Sequence, residues 1–221
     1  MNVAEKYNFI SMYDHFHNKH GTKFVDMTEI AIVENFDKYV NELISTNTKQ
    51  IYSMIELGSK HAFYSLLFKA IVGNSRSLNI MVEPEDTINL GIEQFKVNNF
   101  DGIFYKSCIG NKWVAKDGFR TKTYYNDLIT LYEIFEKQNL TEVDVLHCDV
   151  DLQERPLIEQ HEDLFKNKKF NYIFMSTHLE DNHSFCKNKL VDEYKYNLLY
   201  EVPPGYPENI AGFDSLLVLR R

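Results

Sequence analysis

Three scarcities bound this chain before any motif is read. Cysteine occurs only three times in 221 residues, at Cys108, Cys148 and Cys186. The number is odd and the spacing fits no zinc pattern, so free, buried thiols in a reducing compartment are expected rather than a disulfide framework. Basic residues are outnumbered, 24 Lys and Arg against 32 Asp and Glu, for a formal net charge of −8. A protein that coats nucleic acid needs clustered cations to displace counterions, so nucleic acid is not an expected partner. No segment reaches the roughly 18 apolar residues of a membrane span. The opening "MNVAEKYNFISMYDHF" also lacks an apolar core of signal-peptide length. A cytoplasmic protein without a membrane span is the expectation.

What is present is ordinary in amount and regular in order. Hydrophobic residues make up 44% and charged residues 25%, a globular composition. With 16 Phe and 14 Tyr against one Trp, the core should be rich in Phe. The length suits one large domain. Residues 1–45 read as a helical N-terminal extension and 46–221 as a single globular unit. Val33, Phe36, Val40 and Leu43 fall three or four apart, the spacing of an amphipathic helix.

From there strands and helices alternate. Strands are expected at 51–57, 77–84, 102–110, 142–150, 170–178 and 213–221, and helices at 62–73, 86–99, 123–139, 155–167 and 184–196. Asp86 is the expected N-cap of its helix, Gly73 a C-cap, and Pro156 a first-turn residue. "YEVPPGYPENI" (200–210) reads as the hairpin before the last strand, with an acceptor lid as the other reading. Strands separated by helices of this length form βαβ units, so the fold class is α/β, a parallel sheet with helices on both faces. Glu56, Glu83, Ser107, Asp149 and His178 each fall at a strand end. In doubly wound sheets ligands sit at the carboxyl ends of the strands.

"MIELGSKHAFYSLLF" (54–68) is a strand, a turn with one glycine, and a helix. Glycine lets backbone approach a ligand, and a helix N-terminus offers free N–H groups. Only Gly58 is present, with no full G-x-G-x-x-G and no P-loop. A pyrophosphate cradle is poorly supported, and a ligand without phosphates fits better. Glu83, 25 residues after Gly58, stands where an acid takes the two ribose hydroxyls of an adenosine-type ligand. Together these point to S-adenosylmethionine rather than a nicotinamide cofactor.

The ordered motifs resemble the FkbM-type S-adenosylmethionine-dependent methyltransferases. "IELGSKHAFYSLLF" is similar to that family's first motif, "MVEPEDTINLGIEQFKVNNF" to its second and "YKSCIG" to its third. "VDVLHCDVDLQERPLIEQHEDLF" resembles its fourth, and "FNYIFMSTH" the strand after it. The likeness runs from about residue 48 to 180. It implies a Rossmann-like class I methyltransferase fold with a seven-stranded, mostly parallel sheet. It implies O-methylation of a hydroxyl on a sugar, glycan precursor or similar small molecule. By motif, Glu56, Gly58, Ser59, Lys60, Ala62 and Tyr64 would surround the methionine part of the cofactor. Glu83, with Pro84 after it, would hold the ribose, and Ser107 and Cys108 would lie beside the adenine. Asp149 would face the methyl group and acceptor. Asp149 and His178 are the candidates for catalysis, and His147, Asp151 and Lys60 for acceptor binding.

The chain departs from the pattern at Ala62, expected to narrow the cradle by one methyl, at Lys60, and at "HCDVDLQE", where His147, Asp151 and Leu152 replace the usual lysine, glutamate and glycine. A degenerate, non-catalytic methyltransferase fold and another Rossmann-type nucleotide enzyme are the remaining readings. His147, Asp149, Asp151 and His178 also make an irregular candidate set for a divalent metal, a less favoured reading. His15, His17 and His20 read as a polar segment rather than a metal site. The acceptor, the base and the oligomeric state, including a homo-oligomer, are left open.

Overall fold

The computed structural model describes residue 6 and residues 27–110, 113–116, 121–205 and 214–221. The readings of the first 26 residues, including His15, His17 and His20, lie outside the described residues. Helix α1 (Met27–Thr46) comes first. Strand β1 (Tyr52–Leu57), helix α2 (Phe63–Val72), strand β2 (Ser77–Val82), helix α3 (Ile88–Val97) and strand β3 (Ile103–Tyr105) follow. Short strands β4 (Cys108–Ile109), β5 (Trp113–Lys116), β6 (Thr121–Tyr124) and β7 (Leu128–Ile129) precede helix α4 (Leu131–Lys137). The last part runs β8 (Val143–Cys148), α5 (Glu154–Gln160), α6 (Glu162–Lys166), β9 (Phe170–His178), α7 (Glu180–Lys187), β10 (Asn197–Val202) and β11 (Asp214–Arg220).

Seven strands form one sheet in the order β10-β11-β9-β8-β1-β2-β3. Only β11 runs antiparallel, against β9 and β10. All six residues of β1 are buried, as are all six of β8, as expected of parallel strands covered on both faces. The two-residue period sends side chains to two cores. Ile55, Leu57, Leu146 and Cys148 pack with Ile134, Leu157, Ile158 and Phe165 of the helices on one face. Tyr52, Met54 and Val145 pack on the other face with Leu66, Leu67 and Phe68 of α2, and with Phe36, Val40 and Leu43 of α1. Those three α1 side chains are fully buried, each contributing about 1.5–3 kcal/mol. The amphipathic spacing therefore marked a helix that covers the sheet.

Several expected elements differ. The single strand expected at 102–110 breaks after Tyr105, because β4 leaves the main sheet to pair with β7; Cys108 N–H donates to Asp127 O at 2.8 Å. The helix expected at 123–139 begins only at Leu131. Thr130 Oγ1 accepts from Glu133 N–H at 3.1 Å while Glu133 Oε2 accepts from Thr130 N–H at 2.8 Å, a reciprocal cap, and residues 121–124 pair with 113–116 instead. Asp86 is not a cap, since α3 starts at Ile88 and Asp86 pairs with Lys106. The helix expected at 184–196 runs from Glu180 to Lys187 and continues as a π-helix over Asn188–Glu193. Tyr200–Val202 belong to β10, antiparallel to β11, and residues 206–210 of the expected hairpin lie outside the described residues.

The helix expected at 155–167 is split at His161. That ring is fully buried, its Nδ1 donates to Leu157 O at 2.8 Å, and its Nε2 accepts Leu131 N–H at 3.1 Å. It thus caps α4 from another element, in the neutral form only. Burial holds its pKa below the ordinary 6.5. The unfolded chain therefore binds this proton more readily. The contribution is full above 6.5 and is lost as the pH falls below it. His161→Phe strands the Leu131 N–H and is expected to cost about 1–3 kcal/mol at pH 7 in urea unfolding. Its stability should also fall less steeply on acidification than the wild type's. Equal midpoints for the two proteins at pH 7 would contradict this role.

Candidate active site

Strand β1 lies where the strand order reverses, with β2 on one side and β8 on the other. At such a point the loops leaving the strands part to opposite sides and open a crevice. The two loops are joined at its floor. Asp149 N–H donates to Leu57 O at 3.0 Å, and Gly58 and Ser59 N–H both donate to Val82 O, at 3.0 and 3.2 Å. Gly58 has φ +70, and a Cβ there would lie 1.7 Å from Asp149 O, so no other residue fits without displacing the β8 loop.

The acids at the strand ends are held by backbone amides. Glu56 is buried on the α2 face, and its Oε2 accepts Ser65 N–H at 3.0 Å. Burial pushes its pKa up to about 8, against the Ser65 and Tyr64 N–H groups that favour the anion. The first turn of α2, where a phosphate would bind, is therefore occupied by the chain's own carboxyl group. Glu83 Oε2 accepts Lys60 N–H and Oε1 accepts Glu85 N–H, both at 3.0 Å. Burial raises its pKa, opposed by those two amides. Each carboxylate oxygen has a second lone pair, so Glu83 can still accept from a diol.

A cleft opens above these loops. Gly58, Lys60, Glu83, Pro84, Ser107, Cys108, Asp149 and Asp151 line it. Of the other residues singled out in the sequence, Glu56, Ser59, Ala62, Tyr64, His147 and His178 lie beneath or behind that lining. Ala62 corrects the expectation of a narrowed cradle. Its methyl is fully buried, 3.1 Å from where a Cβ on Gly91 of α3 would stand. Tyr64 and His147 form a stacked pair with ring centroids 4.0 Å apart. His147 is 3% exposed, and neither ring nitrogen has a hydrogen-bond partner among the described residues; burial lowers its pKa to about 4. His147 is thereby separated from Asp149, Asp151 and His178, the three members of the candidate metal set that do converge.

His178, at the end of β9, reaches Asp149 and Asp151 from behind. Its Nε2 is 3.5 Å from Asp149 Oδ1 and 3.5 Å from Asp151 Oδ1, and its Nδ1 is 2.8 Å from Glu154 Oε1. Asn182 Nδ2 donates to the other oxygen of Glu154. Lys60 Nζ lies 3.7 Å from Asp149 Oδ2. Sequence reasoning passed over Glu154 and Asn182, and over Thr87, Tyr125 and Gln153 in the lining. Glu154 was visible as the final acid of "DVDLQE"; the others carried no signal, since their element boundaries were misplaced or their partners are remote. Thr87 Oγ1 and Ser59 Oγ are buried without hydrogen-bond partners among the described residues. Unsatisfied hydroxyls at a cleft and its supporting loop are what a polar ligand would complete.

No family model matches the chain, and no curated protein matches it. Solved structures do. The chain is similar to the N-terminal domain of human METTL16 in complex with SAH (TM-score 0.57, 13% identity, 99% of this chain and 78% of that one). It is also similar to a human methyltransferase 10 domain containing protein (0.54, 12%, 99% and 92%). The bifunctional kinase-methyltransferase WbdD is a third (0.50, 10%), where the match covers 88% of this chain but only 39% of that one. At such identities the likeness establishes the fold. The chain has the Rossmann-like class I methyltransferase fold, seven-stranded and mostly parallel.

Ala62 adopts a left-handed conformation (φ 58, ψ 36) that costs a non-glycine residue about 1–2 kcal/mol. Gly91 makes room for it inside a helix, where glycine is about 1 kcal/mol worse than alanine. Exchanging the two, Ala62→Gly with Gly91→Ala, keeps one methyl in the contact and removes both costs. The double variant should exceed the wild type by about 2–3 kcal/mol in thermal or urea unfolding, while Gly91→Ala alone should destabilise. A double variant no more stable than the wild type would refute this packing.

Proposed function

We propose that this protein is an S-adenosylmethionine-dependent methyltransferase acting on a hydroxyl of a small, sugar-like acceptor. The observation that carries the reading is Glu83, a buried acid fixed by two backbone amides at the edge of the cleft, where a ribose diol would be held. The neighbour crystallised with SAH supports the same cofactor. The occupied first turn of α2 disfavours a phosphate-bearing cofactor, and the unpartnered hydroxyls fit the group.

Bound there, S-adenosylmethionine would supply an electrophilic sulfonium methyl group. Glu83 would hold the ribose, and Ser107 and Cys108 would flank the base. Gly58 and Lys60 would border the methionine part, with Glu56, Ser59, Ala62 and Tyr64 shaping the loop from beneath. Asp149 lines the cleft and is the group that would take the acceptor hydroxyl's proton. His178, tied to Glu154, would set the charge around it. Holding hydroxyl and methyl in line supplies most of the acceleration. Asp151 and Lys60 would contact the acceptor. Asp149 and Asp151 lining this end, with the buried Glu154 behind them, suit a neutral polyhydroxylated acceptor better than a polyanion.

Calorimetric titration of the wild type with S-adenosylmethionine and SAH should give micromolar binding, about −8 kcal/mol. Glu83→Gln should weaken it about tenfold or more while the folded circular dichroism spectrum is kept, with a lowered melting temperature because one of the two amides loses its acceptor. Absence of binding by the wild type would overturn the reading.

A further inference from the structure

We infer that the bond between Tyr125 and Glu85 is a latch that holds the empty cleft shut at its ribose end, so that a ligand enters only when it opens. Glu83, the acid that carries the proposed cofactor reading, is 5% exposed. Thr87 Oγ1, in the same wall, is out of reach of water and has no hydrogen-bond partner among the described residues. The cleft measures about 170 Å³, below the roughly 300–1,000 Å³ of sites that take drug-sized ligands. An acid suited to a ribose and a cleft hydroxyl are thus sealed in a space too small for the whole cofactor. Burying a hydroxyl without a partner costs free energy, and an opened or filled cleft removes that cost.

Two walls meet at this seal. One is the loop leaving β2, which carries Glu83, Glu85 and Thr87 of the lining. The other is the excursion that leaves the main sheet after β3, which carries Ser107, Cys108, Ile109 and Tyr125. Tyr125 OH donates to Glu85 Oε1 at 2.9 Å, a contact between residues 40 positions apart. Glu85 N–H in turn donates to Glu83 Oε1 at 3.0 Å, so the latch is coupled to the acid through one residue. Lys106 and Asp86 join the same two walls, but an ion pair open to solvent on both sides holds them weakly. The excursion is anchored on either side of its short strands, where Cys108 and Gly110 N–H donate to Asp127 and Ile129 O, both at 2.8 Å. Tyr125 lies outside those bonds, and its side chain can part from Glu85 without unpairing β4 from β7. A ligand that binds only the open form has its affinity reduced by the fraction of protein that is open. Removing a bond made only in the closed form therefore tightens binding, whereas removing a ligand contact weakens it. Which ligand gains rests on the proposed function; the latch itself does not.

The test compares the wild type with Tyr125→Phe, both as full chains. Without ligand, the amides of residues 83–87 should exchange hydrogen about three- to tenfold faster in Tyr125→Phe, with those of β8 unchanged. SAH should bind the variant about three- to tenfold more tightly, through a faster association rate and an unchanged dissociation rate. Trp113, the one tryptophan of the chain, gives the fluorescence signal. Glu85→Ala should match Tyr125→Phe, and the two combined should add nothing further. Exchange unchanged at residues 83–87 would overturn the latch. Where SAH binds, an affinity in Tyr125→Phe equal to or weaker than that of the wild type would overturn it as well. Faster exchange with no SAH binding by either protein would uphold the latch and remove the cofactor reading.

Discussion

The joint between the β1 and β8 exits is the constraint on which the rest of this structure depends. Parallel strands can place their carboxyl ends side by side, but the chains leaving them must be held while they diverge. Here Leu57 O accepts the Asp149 N–H, and the backbone at Gly58 passes against the Asp149 carbonyl so closely that a Cβ would stand 1.7 Å from it. The same turn is tied to β2 through Val82 O. Three strand exits are thereby set relative to one another by main-chain bonds. The side chains they carry, Glu56, Glu83 and Asp149, inherit their positions from that joint.

The site uses backbone amides where another protein would use cations. Glu56 accepts from α2, and Glu83 accepts from the turns on either side of it. Burial raises the pKa of both, most at Glu56, and the N–H groups offset part of that cost. Occupying the helix N-terminus with a carboxyl group removes an anion site and leaves a cleft whose charge is negative. Such a cleft complements a sulfonium cofactor and a neutral acceptor better than a phosphate chain.

Four of the nine described non-glycine residues with positive φ lie in the turns after β1 and β8. Lys60, Ala62, Asp151 and Leu152 all have φ between 44 and 68, a region that glycine occupies without cost. The first pair lies in the turn after β1 and the second in the turn after β8. Both turns keep the backbone path that glycine would serve, although other residues occupy it. Backbone strain of this kind persists where the surroundings over-determine it, and the hydrogen-bonded joint between the two loops does so here.

Periodicity and punctuation alone were enough for the α/β class, the alternation after residue 50, and the strand ends that carry acids. Those signals are local, since a two-residue period marks a strand and a 3.6-residue period a helix, wherever the segment ends up. The T-x-x-E cap at Thr130 was also legible and was overlooked. Gly58 could be singled out, but not the carbonyl that requires it. Only the tertiary structure decided that Ala62 points at Gly91 rather than into the cleft, and that His147 is walled in by Tyr64. It alone brought His178 through Glu154 onto Asp149 and Asp151, residues separated by more than twenty positions. Which side chain meets which across a sheet depends on strand order and on the path of loops between elements, and neither leaves a periodic trace in the chain.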